Sequence, residues 1–275
     1  MSKISLRETS LPNSTGPDRW NIGFHTDGNL YKRGETGPAV PIGEGGIEGT
    51  QYIFVQANGT PTENAQELQD AYNLAKTMSP STNNRIIVIC GNGNYDFASN
   101  FTMDTEYIDL VSLDGNRSII FNGVGTISIR ANDVFVKGVD VQTKNFTIDN
   151  NLNLLKVENC QGGDGSFGGG FGGRASGTFT NCIGGIGAFG GSSGTALGTF
   201  TNCQGGNNSF GGGGGTASGI FTNCIGGNRS FGGGITGTLS GQLYYCRLTD
   251  GTFQEPTGSG KIVLGIDGND DIINL

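Results

Sequence analysis

The sequence predicts an all-β chain built as a parallel β-solenoid, and three observations carry that prediction. The first is a repeat: GTFTNC stands at 177–182 and again at 198–203, and GIFTNC follows at 219–224. The second is a set of register markers. Cys160, Cys182, Cys203, Cys224 and Cys246 are each followed seven residues later by a phenylalanine, namely Phe167, Phe189, Phe210, Phe231 and Phe253. An apolar residue precedes each cysteine by three positions (Val157, Phe179, Phe200, Phe221, Leu243). Asn159, Asn181, Asn202 and Asn223 stand immediately before the first four cysteines, and Tyr245 takes the fifth place. The third is the unit length of 21–22 residues, too short for a paired-helix repeat and too rich in Gly, Thr and Phe for helices.

One such unit suits one coil, with the next coil ~4.8 Å above it and like residues stacked in columns. Inward Cys and Phe then form apolar columns, and an Asn column at a bend passes amide hydrogen bonds from coil to coil. Two rivals share part of this signature. A leucine-rich repeat has a similar period but needs a leucine-spaced consensus that is absent. A polyglycine II sandwich would use the glycines concentrated between 161 and 241, although they keep no strict three-residue spacing.

The remaining elements follow in chain order. Residues 1–48 are polar and punctuated by Pro and Gly, and TDGNLYKR predicts a small hairpin around Asp27-Gly28. The solenoid is expected over 49–275. NAQELQDAYNLAKTM at 64–78 carries Ala65, Leu68, Ala71, Tyr72, Ala75 and Met78 on one helical stripe, with Asn64 and Glu67 as a capping box and Pro80 as the stop. A helix there covers the open first coil. Short β-branched runs at 86–90, 107–113, 118–123, 126–129 and 134–141 read as strands, and the Cys/Phe coils occupy 157–253.

The order QELQDAYNLAK, RIIVICGNGNYDF and YIDLVSLDG resembles the opening of the pectate-lyase-like superfamily, in which a capping helix precedes a strand and a G-x-Y turn. The resemblance covers about residues 51–265 and implies a right-handed parallel β-helix. It leaves activity open, because that superfamily includes lyases, hydrolases, viral tailspikes and inert structural members. WNIGFHTDGNLYKRGETGPAVPIG at 20–43 is similar to segments near the N-termini of bacteriophage tail-fibre and tailspike proteins. That likeness implies that residues 1–48 dock onto other virion proteins and that the chain forms a homotrimer. The bland alternative for this segment is a flexible leader.

Charge and composition exclude some classes. A net charge of −8 argues against nucleic acid or an anionic membrane as partner. No apolar h-region opens the chain and no apolar run reaches the ~18–20 residues of a membrane span. The expectation is a protein folded in a reducing cytoplasm and carried on a virion, with no membrane insertion.

Candidate chemistry is sparse. From Gly165 to Thr249 there is no Asp, Glu, His or Lys, and the charged side chains are Arg174, Arg229 and Arg247. Carboxylates gather upstream, where Asp109 and Asp133 can approach across neighbouring coils; a glycosidase needs two carboxyl groups at a defined separation. His25 has no partner at metal-ligand spacing. No catalytic residue, cofactor or metal is therefore expected, and a column of reduced, buried thiols is favoured over disulfides or a thiophilic metal site. The glycine runs after each Phe either make the bends of a narrow coil or leave a wall that a sugar face can approach. Beside that wall Arg174, Asn207, Asn208, Ser209 and Arg229 are the candidate contacts for a host-surface glycan.

The function expected is a β-helical tail fibre, tailspike or head fibre that touches the host surface. A polysaccharide depolymerase on the same fold, a purely structural or decorating virion component and a bacterial adhesin are the alternatives.

Overall fold

A computed structural model describes residues 50–275, apart from 143, 150, 151, 235, 254, 256 and 258, together with the backbone of 21–24, 30–33 and 40–41. The chain divides into two units, Met1–Gln51 and Tyr52–Leu275. In the first, Asn21–Phe24 and Leu30–Arg33 pair antiparallel and Val40–Pro41 adds a third strand. The two longer strands are the arms of the hairpin expected around Asp27-Gly28. Its loop and His25 lie outside the described residues.

The second unit is the solenoid. Ten strands stack in chain order into one sheet: β1 (Gln51–Val55), β2 (Ile86–Cys90), β3 (Ile108–Ser112), β4 (Phe135–Lys137), β5 (Lys156–Glu158), β6 (Thr178–Thr180), β7 (Thr199–Thr201), β8 (Ile220–Thr222), β9 (Gln242–Tyr244) and β10 (Lys261–Val263). From β2 to β10 every neighbouring pair is parallel. The result is a right-handed parallel β-solenoid of about eight turns. A second sheet runs from Gly93–Tyr95 to Gly265–Ile266 and narrows to single bridges at Gln161, Ile183 and Gln204. The third wall is Phe101–Met103, Ile127–Ile129 and Thr147–Ile148 in the early coils. In the repeats it is Arg174–Ala175, Thr195–Ala196, Thr216–Ala217 and Thr238–Leu239.

The repeat markers fall into register. Val157, Phe179, Phe200, Phe221, Leu243 and Ile262 are successive Cα partners, all buried. The rings of Phe179, Phe200 and Phe221 stack at 5.1 and 4.9 Å, within 5° of parallel. Phe167, Phe189, Phe210 and Phe231 form a second stack at 4.8–4.9 Å that meets the first edge-on. Each ring therefore has both offset-stacked and T-shaped neighbours, the two favoured arrangements. Phe253 ends the column, tilted 43° to Phe231 and only partly buried.

The second Phe column has an unusual backbone. Phe167, Phe189, Phe210 and Phe231 have φ of +53° to +57°, and the glycine after each (Gly168, Gly190, Gly211, Gly232) is also left-handed. A bulky residue in that region costs roughly 1–3 kcal/mol. Burying the ring in a stack offsets the cost. The following glycine is obligatory for a second reason, because a side chain at 190, 211 or 232 would overlap the carbonyl of Thr195, Thr216 or Thr238 in the same coil.

Asparagine holds the opposite bend. Asn159, Asn181, Asn202 and Asn223 are left-handed, with φ of +51° to +53°, a region that Asn tolerates better than most residues. Asn202 Nδ2 donates to Asn181 Oδ1 (3.2 Å), Asn181 Nδ2 to Asn159 Oδ1 (3.0 Å), and Asn159 Nδ2 to the Gly115 carbonyl (2.8 Å). One coil earlier Gly138 (φ +81°) makes the same bend, so the run expected as one strand over 134–141 is two, Phe135–Lys137 and Val139–Asp140.

The cysteines are free and buried. The thiols of the repeats donate to a carbonyl of the coil below: Cys182 to Val157 (3.5 Å), and Cys203, Cys224 and Cys246 to Phe179, Phe200 and Phe221 (3.4 Å each). Burial pushes the Cys160 and Cys203 thiols above their usual range, which keeps them protonated.

Helix α1 (Pro61–Thr77) lies against the first coil through Leu68, Ala71, Tyr72 and Ala75. It begins one turn before the expected Asn64. The cap is Thr60, whose Oγ1 accepts from the Glu63 N–H (3.3 Å) while Glu63 Oε2 accepts from the Thr60 N–H (2.8 Å), and Pro61 takes the first helical position. Asn64 is buried instead. Its Oδ1 accepts from the Gly59 N–H (2.9 Å) and its Nδ2 donates to the Asn94 carbonyl (3.0 Å), tying the helix to the coil.

Candidate contact edge of the glycine-rich coils

The bends after the Phe and Gly columns make one edge of the repeated half, and the sequence-predicted residues distribute along it unevenly. Asn208 and Arg229 share one column of left-handed bends, both at φ +56°, with Gly187 (+64°) and Gly165 (+66°) in the earlier coils. The arginine is exposed and the asparagine half-buried. Asn207 is exposed, but its Oδ1 is engaged by the Asn228 N–H (2.9 Å). It belongs to a coil-to-coil ladder in which Asp164 Oδ1 accepts from the Ile186 N–H (2.7 Å) and Asn228 Nδ2 donates to Asp250 Oδ2 (2.9 Å). Ser209 is fully buried, with Oγ donating to the Gly185 carbonyl (3.3 Å). It cannot meet a ligand; it fills the same interior column as Ser166, Ala188 and Ser230. Arg174 starts a strand of the third wall in register with Thr195, and its Nε is buried without a hydrogen-bond partner. Only Asn208 and Arg229 share a column, and the five residues do not converge on one point.

The glycines sort unevenly between the two expected roles, the bends of a narrow coil and an approachable wall. Gly177, Gly198, Gly219 and Gly241 stack so closely that a side chain on any of the last three would strike the backbone of the coil below. They are there for coil-to-coil approach, and a ligand has no access to that gap. Two glycines behave otherwise. Gly170 (φ +87°) and Gly172 (φ +72°) have open space where a side chain would point, and between them Phe171 is 90% exposed. Their N–H groups donate to the Gly187 (3.0 Å) and Ser192 (3.1 Å) carbonyls, which pins the Phe171 loop onto the next coil. Phe171 escaped the register markers. Its signal was the Phe167-to-Arg174 segment, one residue longer than Phe189-to-Thr195.

This edge presents an exposed ring, hydroxyl and amide groups and a guanidinium. It can stack and hydrogen-bond, and between Gly165 and Thr249 it has no carboxylate or imidazole to move a proton.

The carboxylates meet elsewhere, on the first coils. Asp109 and Asp133 do approach, with Arg85 between them: Nη1 donates to Asp109 Oδ1 (2.7 Å) and Nη2 to Asp133 Oδ1. Asp109 is buried and also accepts from the Phe135 N–H (2.7 Å). Burial pushes its carboxyl above the usual range, and the Phe135 amide and Arg85 counter only part of that. The Arg85 guanidinium lies 5.6 Å from the ring centre of Tyr107, itself left-handed at φ +64°. Arg85 was not anticipated: Arg85, Asp109 and Asp133 stand 24 residues apart in turn, but one Arg followed by two Asp in the early coils makes no repeated motif.

No protein-family model matches the sequence, and neither a curated protein nor a solved structure does. The parallel β-solenoid accordingly stands on this chain's own strand pairing. Among the described residues, no helix is long and apolar enough to cross a membrane.

Proposed function

We propose that this chain is a rigid contact element, a β-helical fibre or spike of a phage-type virion that touches a glycan-bearing host surface. The observation that carries the reading is the edge formed by Phe171, Asn208 and Arg229 on coils locked by backbone ladders. It is a preorganised surface of ring, amide and guanidinium groups, with the exposed carboxylates of Asp164 and Asp250 in the ladder beside it. Sugars are bound by such groups, through stacking on ring faces and hydrogen bonds to hydroxyls. Rigidity matters here, since an ordered surface loses little freedom when it binds. The leader's likeness to phage fibre segments supports attachment of residues 1–48 to other virion proteins.

The test has two arms. Gold-labelled antibody against residues 49–275, applied to particles from a lysate containing the protein, should decorate fibre or spike tips; label on the shell or collar would favour a decorating role, and no label would sink the virion reading. Host-surface polysaccharide should bind the purified chain and lose affinity about tenfold in Phe171→Ser.

The depolymerase reading has one observation in its favour, the meeting of Asp109 and Asp133. Both carboxylates are held by Arg85, so the cluster reads as a buttress between coils. The expected outcome is no release of reducing ends or unsaturated products from host polysaccharide. Cleavage abolished by Asp133→Asn would reverse that assignment.

A further inference from the structure

The two ends of the ten-stranded sheet are finished differently. At the C-terminal end the chain folds back on β10: the Ile262 N–H donates to the Leu275 carbonyl (2.8 Å), the Leu275 N–H donates to the Ile262 carbonyl (3.0 Å), and Gly265–Ile266 pairs antiparallel with Ile272–Ile273. At the other end the strand order stops at β1, with no further strand among the described residues. Natural sheets usually blunt such an edge with Lys, Pro, a bulge or a covering segment. β1 reads QYIFV and has none of the sequence devices, and Tyr52 and Phe54 are 48% and 49% exposed.

The hydrogen-bonding direction of this edge follows from one contact. The Val55 carbonyl accepts from the Gly91 N–H (2.8 Å), so Val55 and, by alternation, Ile53 direct their backbone toward β2. Tyr52 and Phe54 direct theirs away from it. Two copies related by a two-fold axis through Ile53 would place Tyr52 of one opposite Phe54 of the other. Both would present N–H and C=O to the partner, which is the hydrogen-bonded pair of an antiparallel ladder. The facing aromatic side chains are a favourable cross-strand pair.

Charge selects the same place. The chain carries −8, so copies repel wherever acidic surface meets acidic surface. From Thr50 to Thr62 there is no charged residue. We infer that β1 is a self-association edge through which two copies of this chain pair antiparallel, Tyr52 against Phe54, to make one continuous sheet across an isologous two-fold interface.

The experiment is mass by light scattering on the full chain at tens of micromolar, with two variants. Wild type should have the mass of two chains. Phe54→Pro removes an outward N–H and the Phe54 ring, at a position where proline is tolerated in an edge strand, and should give one chain with unchanged far-ultraviolet dichroism and melting temperature. The charged double variant Tyr52→Lys, Phe54→Lys keeps every backbone donor and should raise the dissociation constant at least about tenfold. A wild-type mass of one chain overturns the inference. So does a mass of three chains, which would restore the three-fold arrangement implied by the likeness to phage fibres. A two-chain mass that survives both variants overturns it too, because the contact would then lie elsewhere. The outcome is separate from glycan contact, since Phe171→Ser leaves β1 untouched.

Discussion

In the early coils the interior column that runs through the long sheet holds Val88, Leu110, Val136 and Val157, and the neighbouring columns mix Ile119, Phe121, Ile127 and Met103. From Cys160 onward several columns hold one residue type over three or more consecutive coils, Phe over Phe, Cys over Cys, Asn over Asn. The mixed half is an ordinary hydrophobic core, in which shape can be shared among neighbours, and its exterior carries ion pairs such as Lys137–Glu158 (2.7 Å). The uniform half has no such freedom. Its coils repeat the same residues at these positions, its backbones touch at glycine, and a change in one coil is felt by the coil above and the coil below. Repetition has moved the specification of the fold from side-chain volume to backbone clearance.

The sharpest way to break that contrast is a side chain where clearance is zero. Gly211→Val must overlap the Thr216 carbonyl and adopt φ +69°. The expected loss is more than about 4 kcal/mol, a large share of the roughly 5–15 kcal/mol that a domain possesses. Gly170→Ala, at φ +87° but in open space, should cost only the left-handed penalty of about 1–2 kcal/mol. Urea denaturation of the pair separates clearance from conformation; similar losses in both would mean that backbone strain alone explains the glycines.

Next in size is the ring stack. Phe200 has parallel neighbours at 5.1 and 4.9 Å and edge-on neighbours at 5.7 Å on either side. Phe200→Ala should cost about 3–5 kcal/mol, whereas a volume-conserving Leu110→Ile in the mixed half should cost under about 1.5. If Phe200→Ala falls as low as the leucine swap, the coils can collapse around a missing ring and the uniform half is not the less tolerant one.

How much of this was legible in the sequence differs between the same two halves. Period and register of the Cys, Phe and Asn columns were readable, because stacking forces equal spacing on every coil. The left-handed backbone at Phe189 and Phe210 was not, since spacing is silent about the sign of φ and bulky residues rarely adopt it; the invariant following glycine was the one hint. The buried Ser209 was misplaced as a contact because its neighbours Asn207 and Asn208 are polar bend residues, and one position decides whether a side chain points in or out. In the mixed half the close approach of Asp109 and Asp133 was foreseeable from strand order, but not Arg85 between them. α1 was legible as a helix, and its start was missed because Asn64 with Glu67 has the spacing of a capping box, whereas the structure caps at Thr60 with Glu63 and packs Asn64 against the coil.

A smaller effect sharpens the ladder argument. Asn181 receives Asn202, donates to Asn159 and sits at φ +53°. Asn181→Ala should cost about 2 kcal/mol, combining lost amide bonds with a left-handed alanine, and Asn181→Gly about half of that, because glycine removes only the bonds. Equal losses would show that the ladder, and not the bend, carries the contribution.

The smallest expected effect is acid sensitivity, and it belongs to the early half because the uniform coils have no carboxylate from Gly165 to Thr249. Partial burial pushes the Asp104 carboxyl up, but the ion pair to Lys76 (2.7 Å), with hydrogen bonds from Thr105 and Tyr72, outweighs it and leaves the group below the usual carboxylate range. The folded state then binds this proton less readily than the unfolded chain. The resulting stability is present above about pH 4, where the unfolded carboxyl is ionised, and is lost as pH falls through the lower folded value. Because the Asp104 side chain is 46% exposed, solvent screening reduces the effect to roughly 0.3–0.5 kcal/mol. Melting temperature measured from pH 7 down to pH 2 should fall less steeply in Asp104→Asn than in wild type, and the difference should shrink in high salt. An unchanged acid limb would remove Asp104 from the helix-capped end's pH response and leave it to other acids of the early half, such as Asp114, held low by Ser118 and the Asn116 amide.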